Sequence, residues 1–231
     1  TGERVDYRAK FVLLTSGGCM SNPRMFEDLH GVPLFCEVAY PYSQGQGITL
    51  GLGAGGYVRG GDKYATLFGT ILESEYFPAP SIGRPVLAPE RRQPWEVFVN
   101  VHGKRFVRED HPSVAHREYT LGLQPGLRHW AIFDQKILDT APPFIPRWSR
   151  EKLDDAFIDH PMFAKAETLG ELGVKAGVNP YNLEREINAY NDGVLYDKPD
   201  AMGREHRPLA VGKGPFYAIR LQGWNVMSYA G

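Results

Sequence analysis

Between Glu90 and Glu118 the chain concentrates side chains that hold anions and move protons. Lys104, Arg105 and Arg108 are cationic and run into the carboxylates Glu109 and Asp110. His111 and His116 follow, two imidazoles whose ordinary acidity lies near neutral pH. Upstream, Glu90-Arg91-Arg92 sets a carboxylate beside guanidinium groups, a pairing able to relay protons through hydrogen bonds. Downstream, Arg117 lies one helical turn after Ser113, on the same face. Such a set suits an anionic substrate and proton transfer. The plainer alternative is a solvated face with surface ion pairs and charge clusters. No Cys/His spacing suits a metal.

These residues need a scaffold. Val97 to Asn100 and Lys104 to Val107, around His102-Gly103, predict a β-hairpin. A short helix is expected after Pro112. His129 to Asp134 reads as a strand, and Pro142 to Pro146 as a rigid loop. Leu169, Leu172 and Ala176 share a helix face, stopped by Gly177. Asn179-Pro180 then caps an amphipathic helix carrying Leu183, Ile187 and Tyr190 and ending near Asn191. A polar loop to Lys213 leads to a strand over Gly214–Ile219.

In the N-terminal quarter, Phe11 to Leu14 predicts a strand covered on both faces. Thr15-Ser16-Gly17-Gly18 breaks it, and the glycines allow backbone to approach a ligand closely. Asn22-Pro23 opens a short helix. The turn Gln44 to Ile48, with Gly45 and Gly47, leads into a helix expected over Ile48–Tyr57. Gly51 to Gly56 matches G-x-G-x-x-G formally but lacks a preceding buried strand, so close helix packing is the expected reason for these glycines. Prolines 78, 80, 85, 89 and 94 predict an extended, irregular crossing from Lys63 to Pro94, with a domain boundary near residues 62–65.

A hydrophobic content of 42%, 23% charged residues and a net charge of −1 describe an ordinary globular chain, with no electrostatic case for nucleic acid or an anionic membrane. No apolar run approaches the roughly 20 residues of a membrane span. Cys19 and Cys36 are too few for a disulfide framework, so reduced thiols and a cytoplasmic location are expected.

Val99 to Asp110, V-N-V-H-G-K-R-F-V-R-E-D, resembles the VN-x-x-G-x-RF-V-x-E hairpin of the fumarate reductase/succinate dehydrogenase flavoprotein family, which includes the 3-ketosteroid dehydrogenases. Further similar segments fall in the family's order. Phe11 to Gly18 is similar to its V-V-L-A-T-G-G strand and turn, and Gln44 to Ile48 to its T-G-D-G-I turn, with Gln46 in place of aspartate. Trp130 to Asp134, Ala166 to Ala176 and Pro215 to Ile219 resemble its W-x-V-F-D strand, its T-LEELA helix and its P-F-Y-A-I strand.

The resemblance implies an α+β fold: a substrate-capping domain over residues 63–213, flanked by partial segments of an FAD-binding α/β domain at 1–62 and 214–231. It implies FAD beside Thr15, Ser16, Gly17, Gly18, Gly45 and Gly47. A small-molecule substrate would be held by Arg108, Ser113 and Tyr217, with Arg117, His111, Arg92 and Glu90 handling protons. The implied reaction moves a hydride between flavin and a carbon next to a carbonyl or carboxylate. Ser113 stands where the family's proton-donating arginine is expected and Met227 where its histidine is, which argues against fumarate or succinate. A 3-ketosteroid dehydrogenase, using Tyr119 or Tyr217, is a further reading. The family's phosphate-binding fingerprint is expected before Thr1 and its last flavin-binding segment after Gly231. FAD is therefore not expected on this chain alone, and the implied partners are the rest of that domain and an unknown electron partner. An isolated fragment or a cap-derived ligand-binding module is the alternative.

Overall fold

A computed structural model describes residues 2, 4–37 and 39–228, with side chains to residue 225 in the last strand. Tyr229 to Gly231 and the side chain of Met227 lie outside the described residues.

The chain enters through two short helices. α1 (Pro23–His30) is capped by Asn22, whose Oδ1 accepts the Met25 N–H at 3.1 Å. α2 (Gln46–Gly53) stops earlier than expected. Gly55 is left-handed (φ 89°), and the Gly56 N–H closes on the Gly51 carbonyl at 2.9 Å. These glycines therefore terminate the helix. Close packing does not explain them, since a Cβ at Gly53 or Gly55 would meet nothing within 4 Å.

Next come β1 (Tyr64–Leu72), β2 (Ser81–Gly83) and β3 (Val97–Val99). The crossing expected to be irregular thus contains two strands, because β1 finds a long-range partner that local sequence does not announce. α3 (Val114–Gly122), a 3-10 turn (Pro125–Leu127), β4 (Arg128–Asp134), α4 (Gln135–Thr140) and α5 (Arg150–Asp159) follow. β5 (Phe163–Ala166), α6 (Leu169–Ala176), α7 (Pro180–Leu195) and β6 (Phe216–Ser228) complete the order. Gly177 (φ 68°) ends α6, and Asn179 caps α7 with Pro180 in its first turn, as expected.

The sheet runs β2-β1-β6-β4-β3, all antiparallel, with β5 also on β6. β6 is its spine. β4 lies along one edge from Asp134↔Phe216 to Arg128↔Gln222. β5 and β1 share the other edge, β5 at residues 216–219 and β1 at 222–228. Directly opposed residues share a face, so His129, Ala131 and Phe133 align with Leu221, Ile219 and Tyr217. The main core gathers on this sheet and on α6 and α7, with Trp130, Ile132, Leu172, Leu183 and Ile187 among its members. A second cluster of Cys19, Met20, Phe26 and Leu34 holds the N-terminal helices.

Two further expectations are corrected. The return of the hairpin is not a strand: beyond the turn, where the Asn100 N–H donates to the Lys104 carbonyl at 2.9 Å, only the bridge Val99↔Arg105 remains. The Phe98 N–H is taken instead by the buried Glu109 carboxylate at 3.2 Å. Phe11 to Leu14 forms no strand and is not covered; Phe11, Val12 and Leu13 are 83%, 80% and 85% exposed, and no described strand pairs with them. A strand without a sheet neighbour has nowhere to place its backbone hydrogen bonds.

Candidate active site

α3 positions Arg117. Ser113 caps the helix, its Oγ accepting the His116 N–H at 3.3 Å, a bond that typically contributes about 1 kcal/mol. One turn on, Arg117 and then Leu121 point inward and are buried. The Arg117 guanidinium donates to the Leu87 carbonyl and lies 5.8 Å from the Phe68 ring centre. Its Nε has no hydrogen-bond partner among the described residues. Burial pulls its pKa below the ordinary arginine value, while Glu90 and Glu118 push the other way. Burial likewise raises the Glu118 carboxyl, opposed by Arg117.

The other buried arginines differ. Arg92 is locked to Glu96 by two bonds of 2.8 and 2.7 Å, with its Nε on the Pro142 carbonyl at 2.9 Å. Arg105 bridges Glu109 (2.6 and 2.9 Å) and Asp200 (2.5 and 3.1 Å). Burial alone would lower the Arg105 pKa, but these two carboxylates raise it instead. Arg204 donates to the carbonyls of Glu96, Pro94 and His206 and lies 3.7 Å from Glu109. Arg220 pairs with Glu75. Arg117 alone among these has no carboxylate within ion-pair distance among the described residues. A buried cation so poorly matched is costly.

At the start of the same helix, His111 and His116 form a stacked imidazole pair with ring centres 4.1 Å apart. The Ser113 N–H donates to His111 Nδ1 at 3.1 Å, so a neutral His111 carries its proton on Nε2. Glu90 is exposed on the loop before β3 and acts electrostatically on Arg117. No hydrogen bond among the described residues joins Glu90 to Arg92, so the expected relay between those two is not assembled; Glu96, four residues on, takes Arg92.

The remaining predicted residues sit elsewhere. Arg108 pairs with Asp110 at 2.7 Å and Glu205 at 3.0 Å. Tyr217 is buried, its hydroxyl donating to Gln135 Oε1 at 2.5 Å and its ring 5.4 Å from Phe133. It stands six residues along β6 from Gly223, which packs on Leu121 of α3, a separation of about 20 Å at strand rise. Tyr119 is exposed at 68%. The structure therefore does not bring Tyr217 to Arg117.

The two glycine segments do meet. The Gly45 N–H donates to the Gly18 carbonyl at 3.0 Å, and Ser43 Oγ donates to the same carbonyl at 3.0 Å. A Cβ at Gly47 would overlap Ser16 Oγ, and Gly17 and Gly45 are left-handed (φ 84° and 83°). A cavity of about 240 Å³ lies between Leu14, Ser16, Gly17, Gly47 and Tyr57. The cavity is smaller than the roughly 300–1,000 Å³ of pockets that enclose a whole drug-sized ligand. Thr15 adjoins it in sequence and is exposed. No group of acidic, His or Cys side chains among the described residues is arranged for a metal. No helix among them is long and apolar enough to cross a membrane.

Sequence reasoning missed Leu87, Phe68, Glu96, Asp200 and Arg204. Only Glu96 left a signal, its i,i+4 spacing from Arg92. Leu87 and Phe68 reach Arg117, and Asp200 and Arg204 reach the Arg105–Glu109 pair, through long-range packing.

The fold is shared with solved structures of flavoprotein oxidoreductases. It matches the open conformation of a flavocytochrome c3 fumarate reductase with a TM-score of 0.62 at 21% identity, over 94% of this chain and 35% of that one. It matches the 3-ketosteroid delta1-dehydrogenase of Sterolibacterium denitrificans with a TM-score of 0.64 at 18% identity, over 94% and 42%. By sequence, the homologues are two kinds of oxidoreductase. A 3-oxosteroid 1-dehydrogenase of Mycobacterium tuberculosis is 27% identical over 190 residues, 78% of this chain and 32% of that protein. That of Mycolicibacterium smegmatis is 27% identical over 238 residues, 91% and 40%. A probable fumarate reductase of Shewanella frigidimarina is 27% identical over 149 residues, 62% and 23%. The chain thus spans well under half the length of these relatives. No family model matches it.

Proposed function

We propose that this chain is the substrate cap, with adjoining flavin-facing segments, of a longer FAD-dependent oxidoreductase. The cap is assigned to residues 63–213, and the segments to residues 1–62 and 214–231. The observation that carries the reading is Arg117: a buried guanidinium with, among the described residues, an unused Nε and no carboxylate partner, and with Glu90 as its charge neighbour at the surface. Burial eases loss of its proton, and the Nε–H is not spent on another described residue. Arg117 then serves as the proton donor or acceptor, with Glu90 and the His111/His116 pair connecting it to solvent. Gly17, Gly18, Gly45 and Gly47 would lie against FAD, and Thr15 and Ser16 would border it. When bound, FAD supplies the hydride-transfer step. The substrate is a small molecule in which the reacting carbon is next to a carbonyl or carboxylate.

A second reading, a 3-ketosteroid substrate, is favoured by two observations. The position expected to carry a proton-donating arginine is Ser113, spent on capping α3, and the relatives named for a 3-oxosteroid cover most of this chain. A carbonyl substrate needs no second guanidinium to neutralise a carboxylate. Two buried cysteines fit a reducing, cytoplasmic setting.

The test is Arg117→Lys and Arg117→Ala in the full flavoprotein, assayed with a ketosteroid and with fumarate. A fall of about a hundredfold or more in turnover with an unchanged bound-flavin spectrum is expected for Arg117→Ala. Unaltered turnover would remove Arg117 from the chemistry.

A further inference from the structure

We propose that the cleft between β2 and the start of α5 binds a small polyanion, gripped by Arg84, Arg91, Arg147 and Lys152. The cleft holds about 770 Å³, and among the described residues Glu37 is the one carboxylate in its lining. Its excess of cations contrasts with a whole-chain charge of −1, so the positive potential is a local feature of one concavity.

The four cations are unspent. Arg92, Arg105, Arg108 and Arg150 are each matched to carboxylates. Among the described residues, Arg84, Arg91, Arg147 and Lys152 form no ion pair and no side-chain hydrogen bond. Two of them are nonetheless held in place: the Arg84 guanidinium sits 4.5 Å from the Trp224 ring centre, and Lys152 Nζ 4.3 Å from that of Trp148. Cation–π seating reduces the side-chain entropy lost when an anion binds. Pro80, Pro85 and Pro146 stiffen the walls. Lys152 also lies in the first turn of α5, where the helix end adds positive potential.

The chemistry points to charge recognition. The Trp148 ring already meets Lys152 and stacks on Phe163 with centres 5.7 Å apart, so its faces are taken and no ligand ring stacks there. The volume falls in the range of small-molecule pockets. Guanidinium forks suit phosphoryl and carboxylate oxygens alike. The shared chemistry is a compact molecule with several anionic oxygens.

The experiment is calorimetric titration of the 231-residue chain at low ionic strength with inorganic pyrophosphate and, separately, citrate. Saturable one-to-one binding of at least one anion is expected. It should weaken by at least about tenfold in an Arg84→Ser/Arg147→Ser double variant and stay unchanged in Arg24→Ser, a control on exposed α1. Added salt should also weaken it. Preference for pyrophosphate would assign phosphoryl ligands, and preference for citrate polycarboxylates. Circular dichroism checks that the variants fold, and a shift of the Trp148 indole N–H resonance on titration locates the anion independently of them. Absence of saturable binding by both anions, or binding that neither the double variant nor the Trp148 resonance registers, overturns the proposal.

Discussion

Arg105 and Asp200 meet at 2.5 Å across 95 residues of sequence, and the contact fastens the loop after α7 onto the turn that follows β3. Glu109 takes the other side of the same guanidinium, and the Tyr190 ring centre lies 5.5 Å from it. Asp110 adds a second tie by accepting the N–H groups of Glu205 and His206 at 2.8 and 2.9 Å. The charged run that sequence presents as a catalytic surface is therefore largely a buried clasp.

The clasp should break asymmetrically. Arg105→Ala leaves the buried Asp200 carboxylate without its cation and Glu109 with only Arg204 at 3.7 Å, and should cost about 3–5 kcal/mol. Asp200→Ala leaves Arg105 still held by Glu109 and should cost about 1–3 kcal/mol. Urea unfolding measures both; an equal or reversed order would show that Glu109 does not hold Arg105 as described.

Acid should weaken the fold through His129. Its ring is enclosed by Phe68, Phe98 and Phe106, neither nitrogen has a partner among the described residues, and burial lowers its pKa from 6.5 to about 3. The unfolded state binds this proton first, so the stability is complete above pH 6.5 and is lost as pH falls toward 3, at up to about 1.4 kcal/mol per pH unit. His160 and His206 are also held below 6.5, chiefly by burial, and act in the same direction. The difference between wild type and His129→Phe isolates the one site: the variant should show a flatter stability profile between pH 6.5 and 4. Parallel profiles would mean that His129 is protonated in the folded state.

Arg117 should trade stability against chemistry. Arg117→Leu removes a buried, poorly matched cation and leaves the carbonyl of Leu87, a half-buried residue, without this donor. We expect stability to hold or rise by about 1 kcal/mol while proposed turnover collapses. A loss of several kcal/mol in thermal unfolding would instead make Arg117 a structural residue.

Gly103 should tolerate no side chain. Its φ is 71°, and an added Cβ would lie 2.5 Å from the Asn179 carbonyl oxygen and 2.6 Å from the Leu183 nitrogen. Gly103→Ala should cost about 1–3 kcal/mol through strain and displacement of α7. A calorimetric Tm equal to wild type would refute that packing.

Sequence by itself determined what depends on a few neighbouring residues. Gly177 as the stop of α6, Asn179-Pro180 as the start of α7, and the strand at Trp130 to Asp134 follow from local backbone preference and side-chain periodicity. The family resemblance rests on such local segments, and the α+β fold agrees with it. Tertiary structure decided the rest. Burial of a charge depends on what the rest of the chain supplies: Arg105 becomes a clasp because Asp200 arrives, Arg92 is neutralised by Glu96, and Arg117 is left with a backbone carbonyl because no carboxylate among the described residues reaches it. Tyr217 and Arg117 are separated by strand register, which motif order does not encode. Phe11 to Leu14 shows the same limit from the other side, since an apolar run becomes a buried strand only when a neighbouring strand takes its hydrogen bonds.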